Sequence, residues 1–308
     1  MKKRYPLTLM AGPCIPWTDD FQLDEPSLRR EIRFLAEAGI TSMYFFGTAG
    51  EGYVLDRKLF GDITGVILDE ASQHSGLEPM IGVISTSMPE IIERIGIANG
   101  LGARDFQVAL PCWGAMSEDN VRYFWGEVCR SFPDCRFMAY NNQNRTKTGV
   151  TVAEYLRIAD ENPNFVAVKY STPNIFQIYD VAVANTELTF FIVDMGYEYA
   201  SMFGKVGLIS SYISIDSEAV WEYFNAGQRG DFQVLSKNGR YIMELNSAFD
   251  AVEGDYIDAA YDKAIVSITD PDFSYRIRPP YSGLSKEEFD RVKALKKDTI
   301  SKFNAGRL

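Results

Sequence analysis

The chain of 308 residues contains one histidine, His74, and it lies in a polar stretch. A Ser-His-Asp triad needs a histidine beside its nucleophile and a His-rich metal site needs several, so both are disfavoured. Cysteine is nearly as scarce. Cys14, Cys112, Cys129 and Cys135 form no Cys-x-x-Cys pair, which reads as reduced thiols in a cytoplasmic protein without a disulfide framework or thiolate metal site. Positive charge is also short: 31 Lys and Arg against 42 Asp and Glu leave a net charge of −11. That argues against nucleic acid or an anionic membrane as partner. No apolar run is long enough to span a bilayer. The basic opening Met1-Lys2-Lys3-Arg4-Tyr5-Pro6 leads into an apolar stretch broken by Gly12-Pro13, and so reads as a strand and a loop, not a signal peptide. No Gly-x-Gly-x-x-Gly follows that strand, so a dinucleotide fold lacks its fingerprint. The expectation is an enzyme with no cofactor and no metal. Metal-dependent chemistry would be left with carboxylates alone as ligands. Acid–base work falls to lysine, tyrosine or carboxylates.

What the chain has is alternation. Apolar, β-branched runs at 7–15, 42–46, 80–84, 106–110, 136–140, 165–168, 188–193 and 206–210 read as eight strands. Between them, helical spacing recurs at 28–38, 55–73, 89–98, 117–132, 151–161, 175–184 and 197–203, and Asp216 or Ser217 starts an eighth helix that ends at Gly227. Such alternation implies parallel strands with right-handed crossovers, and eight units fit a closed (β/α)₈ TIM barrel over residues 1–227. From Gln228 the strand signal fades. Residues 232–249, 255–266 and 286–303 read as three helices, so 228–308 is expected to form a helical appendage packed on the barrel or at a subunit contact. A hydrophobic fraction of 46% suits a core of this size.

The active site of such a barrel lies at the carboxyl ends of its strands. Lys169 closes the apolar run Phe165-Val166-Ala167-Val168 there. Burial disfavours an ammonium, so its pKa is expected to fall, as an amine nucleophile requires. The ordinary reading is a lysine that snorkels from the sheet edge. Tyr140 closes the fifth strand, Gly47-Thr48-Ala49-Gly50-Glu51 follows the second, and Asp194 follows the seventh. Glycines in the second group let backbone N–H groups approach an anion such as a carboxylate. Singly, these are a turn, a core tyrosine and a helix cap. Together they bring an anion cradle, a phenol and a lysine to one mouth.

With Arg145 five residues after Tyr140, and with Pro16-Trp17, Leu23-Asp24, Val168-Lys169 and Gly207-Leu208-Ile209-Ser210, this set resembles the dihydrodipicolinate synthase/N-acetylneuraminate lyase family along almost the whole chain. The resemblance implies a class I aldolase-type enzyme, commonly a homotetramer (a dimer of dimers), that forms a Schiff base with pyruvate or another 2-keto acid. It implies that Lys169 forms the imine, that Tyr140 shuttles protons, and that Thr48 hydrogen-bonds the phenol. Gly47, Thr48 and Ala49 would hold the carboxylate, and Ile209 would line the substrate site. Glu51 is expected to order its loop or cap its helix, not to act in catalysis. Arg145 and Asp194 are assigned to the variable half of the substrate, which is then a hydroxylated chain with a distal acid, or a polyol if Arg145 points to solvent.

Several positions depart from the family pattern. Ala49 replaces a common second hydroxyl residue, and Trp113 stands where a tyrosine often joins a proton relay across subunits. The proline usual near Tyr140 is missing, and the loop 141–149 is longer. These departures argue against dihydrodipicolinate synthesis itself and for another 2-keto acid, such as a 2-keto-3-deoxy sugar acid. The competing reading is a non-catalytic 2-keto-acid-binding protein on the same barrel.

Overall fold

The computed structural model describes residues 2–308. Eight parallel strands close on themselves in chain order: β1 Leu9–Ala11, β2 Ser42–Phe45, β3 Glu78–Val83, β4 Asp105–Ala109, β5 Arg136–Asn142, β6 Phe165–Ser171, β7 Thr189–Val193 and β8 Gly207–Ser210, with β8 pairing back to β1. Helices α1 Glu25–Glu37, α2 Arg57–Ser72, α3 Met88–Leu101, α4 Glu118–Ser131, α5 Gln143–Thr146, α6 Val152–Glu161, α7 Ile175–Val183, α8 Asp194–Ser201 and α9 Ser217–Arg229 connect the strands or follow the last of them. The expected (β/α)₈ barrel is the observed one. No helix is long and apolar enough to cross a membrane among the described residues.

Local chemistry fixes the helix starts. Asp24 accepts from the Ser27 N–H ahead of α1, and Ser117 accepts from Asn120 ahead of α4. Thr151 and Glu154 form a reciprocal capping box on α6, and Asp216 caps α9. Two cores result. Tyr5, Met10, Tyr44, Met80, Met138, Ala167 and Phe191 fill the barrel interior. A larger apolar layer lies between the strands and the surrounding helices. Each large side chain buried this way contributes about 1.5–3 kcal/mol.

Two boundaries bear on the site. Lys169 and Tyr140 were expected to end their strands, but β5 and β6 each run two residues further, to Asn142 and Ser171. Side chains repeat every second residue along a strand, so the extension points Asn142 and Ser171 the same way as Tyr140 and Lys169. Tyr140 and Lys169 are direct partners in the β5–β6 register. The expected long polar loop after β5 contains the single turn α5, which Asn142 caps.

Beyond the barrel come α10 Phe232–Ser247, α11 Asp258–Thr269 and α12 Lys286–Asn304, matching the three expected helices. They lie over the strand ends. Tyr212 donates to Asn246 at 2.9 Å, Thr269 donates to the Ser214 carbonyl at 2.8 Å, and Lys263 of α11 ion-pairs with Glu51 of the loop after β2. Glu51 is fully buried and also accepts from the Trp17 indole at 2.7 Å and the Arg278 N–H at 2.9 Å. These contacts tie its loop to Trp17 and to the C-terminal segment, while its side chain makes no cap hydrogen bond to the helical turn that follows.

Candidate active site

A cavity of about 500 Å³ opens at the carboxyl ends of the strands, and its floor is Lys169. A slightly larger groove, about 630 Å³, runs between Phe21 and the 271–284 segment, and neither Lys169 nor Tyr140 lines it. Lys169 is only 6% exposed. Its Nζ donates to the Tyr44 hydroxyl at 2.5 Å and lies 4.4 Å from the ring centroids of both Tyr44 and Tyr140. The Tyr140 hydroxyl lies 3.2 Å from Thr48 Oγ1 and accepts from Asn142 Nδ2 at 3.3 Å. Asn142 is oriented from its other side, because its Oδ1 accepts the Arg145 N–H that caps α5. The phenol therefore has one fixed donor and one hydroxyl that can give or take a proton.

The expected fall in the Lys169 pKa is not what this environment produces. Burial pulls it down, but the phenol oxygens of Tyr140 and Tyr44, the Tyr44 hydrogen bond and the Asp262 carboxylate outweigh burial, and the net shift is upward. Burial in turn pushes Tyr44 up to about 12, so it stays a neutral phenol.

Tyr44 was missed from the sequence. It sits inside the apolar run of β2, where a tyrosine reads as core. Glycines make its place: a Cβ on Gly47 or Gly12 would run into the Tyr44 ring. Gly47 thus packs behind Tyr44, while Thr48 and Ala49 line the cavity, as does Ile209 of β8.

Asp194 also lines the cavity, at the first position of α8. It does not cap that helix through its side chain; Val193 is the cap residue. Its Oδ1 is buried without a partner, and burial, opposed by a Ser210 hydrogen bond, pushes its pKa up to about 7. Arg145 lies at the rim, half-exposed, with its guanidinium 3.2 Å from Asp258 and outside the cavity lining. Trp113 is 89% exposed and does not reach this cavity. The appendage contributes a wall that the sequence did not suggest: Asn246, Phe249, Asp258, Tyr261, Asp262 and Ile265.

An amine on a strand floor, a phenol poised for proton transfer and a closed eight-stranded barrel define an aldolase-type enzyme. The sequence profile of the dihydrodipicolinate synthetase family matches residues 6–299, and the chain belongs to that family. It is a lyase of the class I aldolase type. Among similar proteins, the 4-hydroxy-tetrahydrodipicolinate synthase of Methanocaldococcus jannaschii is 26% identical over 220 residues, 69% of this chain and 72% of that one. YagE, an E. coli K12 prophage protein of the dihydrodipicolinic acid synthase family solved in complex with pyruvate, superposes with a TM-score of 0.86 at 21% identity, over 96% of this chain and 98% of that one. A catalytic lysine mutant of Ruminococcus gnavus sialic acid aldolase superposes with a TM-score of 0.84 at 17% identity and covers 100% of both chains. At these identities the structures share the fold.

Proposed function

We propose that this enzyme forms a Schiff base between Lys169 and a 2-keto acid and breaks a bond beyond the keto carbon, with a 2-keto-3-deoxy sugar acid or similar compound as substrate. The observation that carries this reading is the register pair Tyr140–Lys169, with Thr48 bridged to the phenol. The carboxylate would lie against Thr48 and Ala49. The amine must lose its proton before it attacks the keto carbon. Tyr140 then delivers a proton to the carbinolamine oxygen, and water leaves as the iminium forms. In cleavage, the C4 hydroxyl gives its proton to the Tyr140 oxygen and the C3–C4 bond breaks. The aldehyde departs, and the bonding pair moves into the iminium as an enamine. Protonation at C3 and hydrolysis return pyruvate and the free lysine.

Dihydrodipicolinate synthesis fits this chain less well. Ala49 offers the carboxylate no hydroxyl, and Trp113 cannot relay a proton. The homotetramer implied by the family resemblance is supported by Trp113 and by Ile175, Phe176 and Tyr179 of α7, which are exposed. The test of the activity is borohydride reduction with a panel of 2-keto acids. A reduced pyruvate adduct is expected on Lys169 and on no other lysine, read by peptide mass. An unmodified Lys169 with every keto acid tried would overturn the reading.

A further inference from the structure

Part of the cavity wall comes from the C-terminal helices, and the charge of the lining is one-sided. Asp194 of α8 and Asp258 and Asp262 of α11 line the cavity, and among the described residues Lys169 is the only cationic side chain in the lining. That charge is committed to the imine. Arg145 adds no second cation, since it stays at the rim on Asp258.

Asp262 is the member of this wall best placed to meet a substrate. Contacts of two residues fix how α11 presents it. Its neighbour Lys263 turns into the protein to pair with buried Glu51 and to donate to the Arg276 carbonyl at 2.7 Å. Ser267, one turn on, donates to the Phe273 carbonyl beyond the helix at 2.8 Å. The helix cannot rotate without breaking the Lys263–Glu51 pair. Asp262 is left in the cavity, whose lining it shares with Ser211 and Lys169. Asp194 lines the same cavity, and its buried Oδ1 has no hydrogen-bond partner among the described residues. Carboxylates accept hydrogen bonds from hydroxyls and repel anions, and in a low-dielectric cleft the repulsion is barely screened.

We propose that Asp262 is a specificity-determining residue: it accepts from hydroxyl groups on the carbon chain beyond the keto-acid end, and it excludes substrates that carry a second anionic group there. This assignment rests on the Schiff-base reading of Lys169 and extends it to the distal half of the substrate.

The test uses the full-length chain with pyruvate and either of two aldehydes of similar length: glyceraldehyde, neutral and hydroxylated, or succinic semialdehyde, anionic. The wild type is expected to favour glyceraldehyde in kcat/KM by a factor of about 100 or more. Asp262→Asn is expected to narrow that ratio at least tenfold. The loss with glyceraldehyde should fall on KM more than on kcat, and KM for the anionic aldehyde should drop. Borohydride trapping of pyruvate on the same samples separates the two failures. No adduct on wild-type Lys169 defeats the Schiff-base reading and this inference with it. An adduct together with an unchanged aldehyde ratio in Asp262→Asn defeats this inference alone. If the variant does not fold, the wild-type ratio still decides: a preference for the anionic aldehyde overturns the proposal.

Discussion

Lys169, on the barrel floor, and Lys296, on α12 of the C-terminal segment, are 6% and 0% exposed, yet their surroundings push them in opposite directions. Lys296 sits 3.9 Å from the Phe249 ring centroid and 5.2 Å from that of Tyr212, and it donates to the Leu245 carbonyl. Burial lowers its pKa to about 7. Lys169 pays the same desolvation penalty but has Tyr44, Tyr140 and Asp262 around it, and its pKa rises. Burial therefore sets the direction of a lysine's shift only where no neighbouring ionisable group outweighs it. At neutral pH the better free nucleophile is Lys296, but it does not line the cavity. Access and the phenol beside it set Lys169 apart as the proposed imine-forming lysine.

The largest effect should come from removing that partner. Tyr140→Phe keeps the ring beside Lys169 and removes the hydroxyl bridged by Thr48 and Asn142. We expect kcat to fall roughly 10²–10⁴-fold while keto-acid binding largely persists. Steady-state kinetics beside a pyruvate-binding titration would show it. Near wild-type turnover would mean that Thr48 or a water moves the proton, and the contrast between the two lysines would then rest on access alone.

Tyr44→Phe tests why Lys169 rises. It deletes the 2.5 Å hydrogen bond and leaves burial less opposed, so the lysine pKa should move down toward the behaviour of Lys296. The neutral amine attacks, so activity climbs as pH rises through the lysine pKa. A lower pKa carries that climb to lower pH. The acid limb of kcat/KM is expected to shift down by about one unit, a difference worth roughly 1.4 kcal/mol between the protonation states. A limb that stays put, or moves up, would show that the remaining groups hold the ammonium without Tyr44.

The barrel was legible because its strands are short apolar runs separated by helical spacing, and because Tyr140 and Lys169 fall near strand ends in the same register. Polar residues reaching the mouth from elsewhere were not. Tyr44 looks like any aromatic in a strand; only Gly12 and Gly47, which clear space for its ring, carry a trace of its role. Asn142 becomes readable once β5 is known to run past Tyr140, since two residues along a strand face the same way. The start of α8 at Asp194 was hidden by Gly196, which reads as a helix breaker; here a Cβ would crowd Ile192 and Ile178. Asp262 next to Lys263 on an amphipathic helix reads as a solvated pair. Its place in the cavity depends on a contact between Lys263 and Glu51, 212 residues apart, that no local pattern encodes.

The smallest expected effects are on stability, and they test burial itself through two groups of opposite charge. The folded pKa of Lys296, about 7, lies below the ordinary lysine value of 10.5, so the unfolded chain binds more protons between those limits. The contribution of this residue to stability is therefore least favourable below about pH 7 and recovers as pH rises toward 10.5. Lys296→Met fills similar space without the charge. It should raise Tm by roughly 2–6 °C near pH 7, with the gain shrinking by pH 10. Glu31 runs the other way. Burial pushes its carboxyl up to about 8 from 4.5, opposed by the Cys14 N–H, and its Oε2 has no partner. Here the folded chain binds more protons between about 4.5 and 8, so stability falls as pH rises through that window. Glu31→Gln keeps an acceptor for Cys14 and removes the titration. Its Tm advantage should grow from pH 5 to pH 8, while that of Lys296→Met declines from pH 7 to pH 10. Calorimetry of both variants across that range decides the matter. Two advantages that change in the same direction with pH would mean that something other than desolvation governs one of these sites.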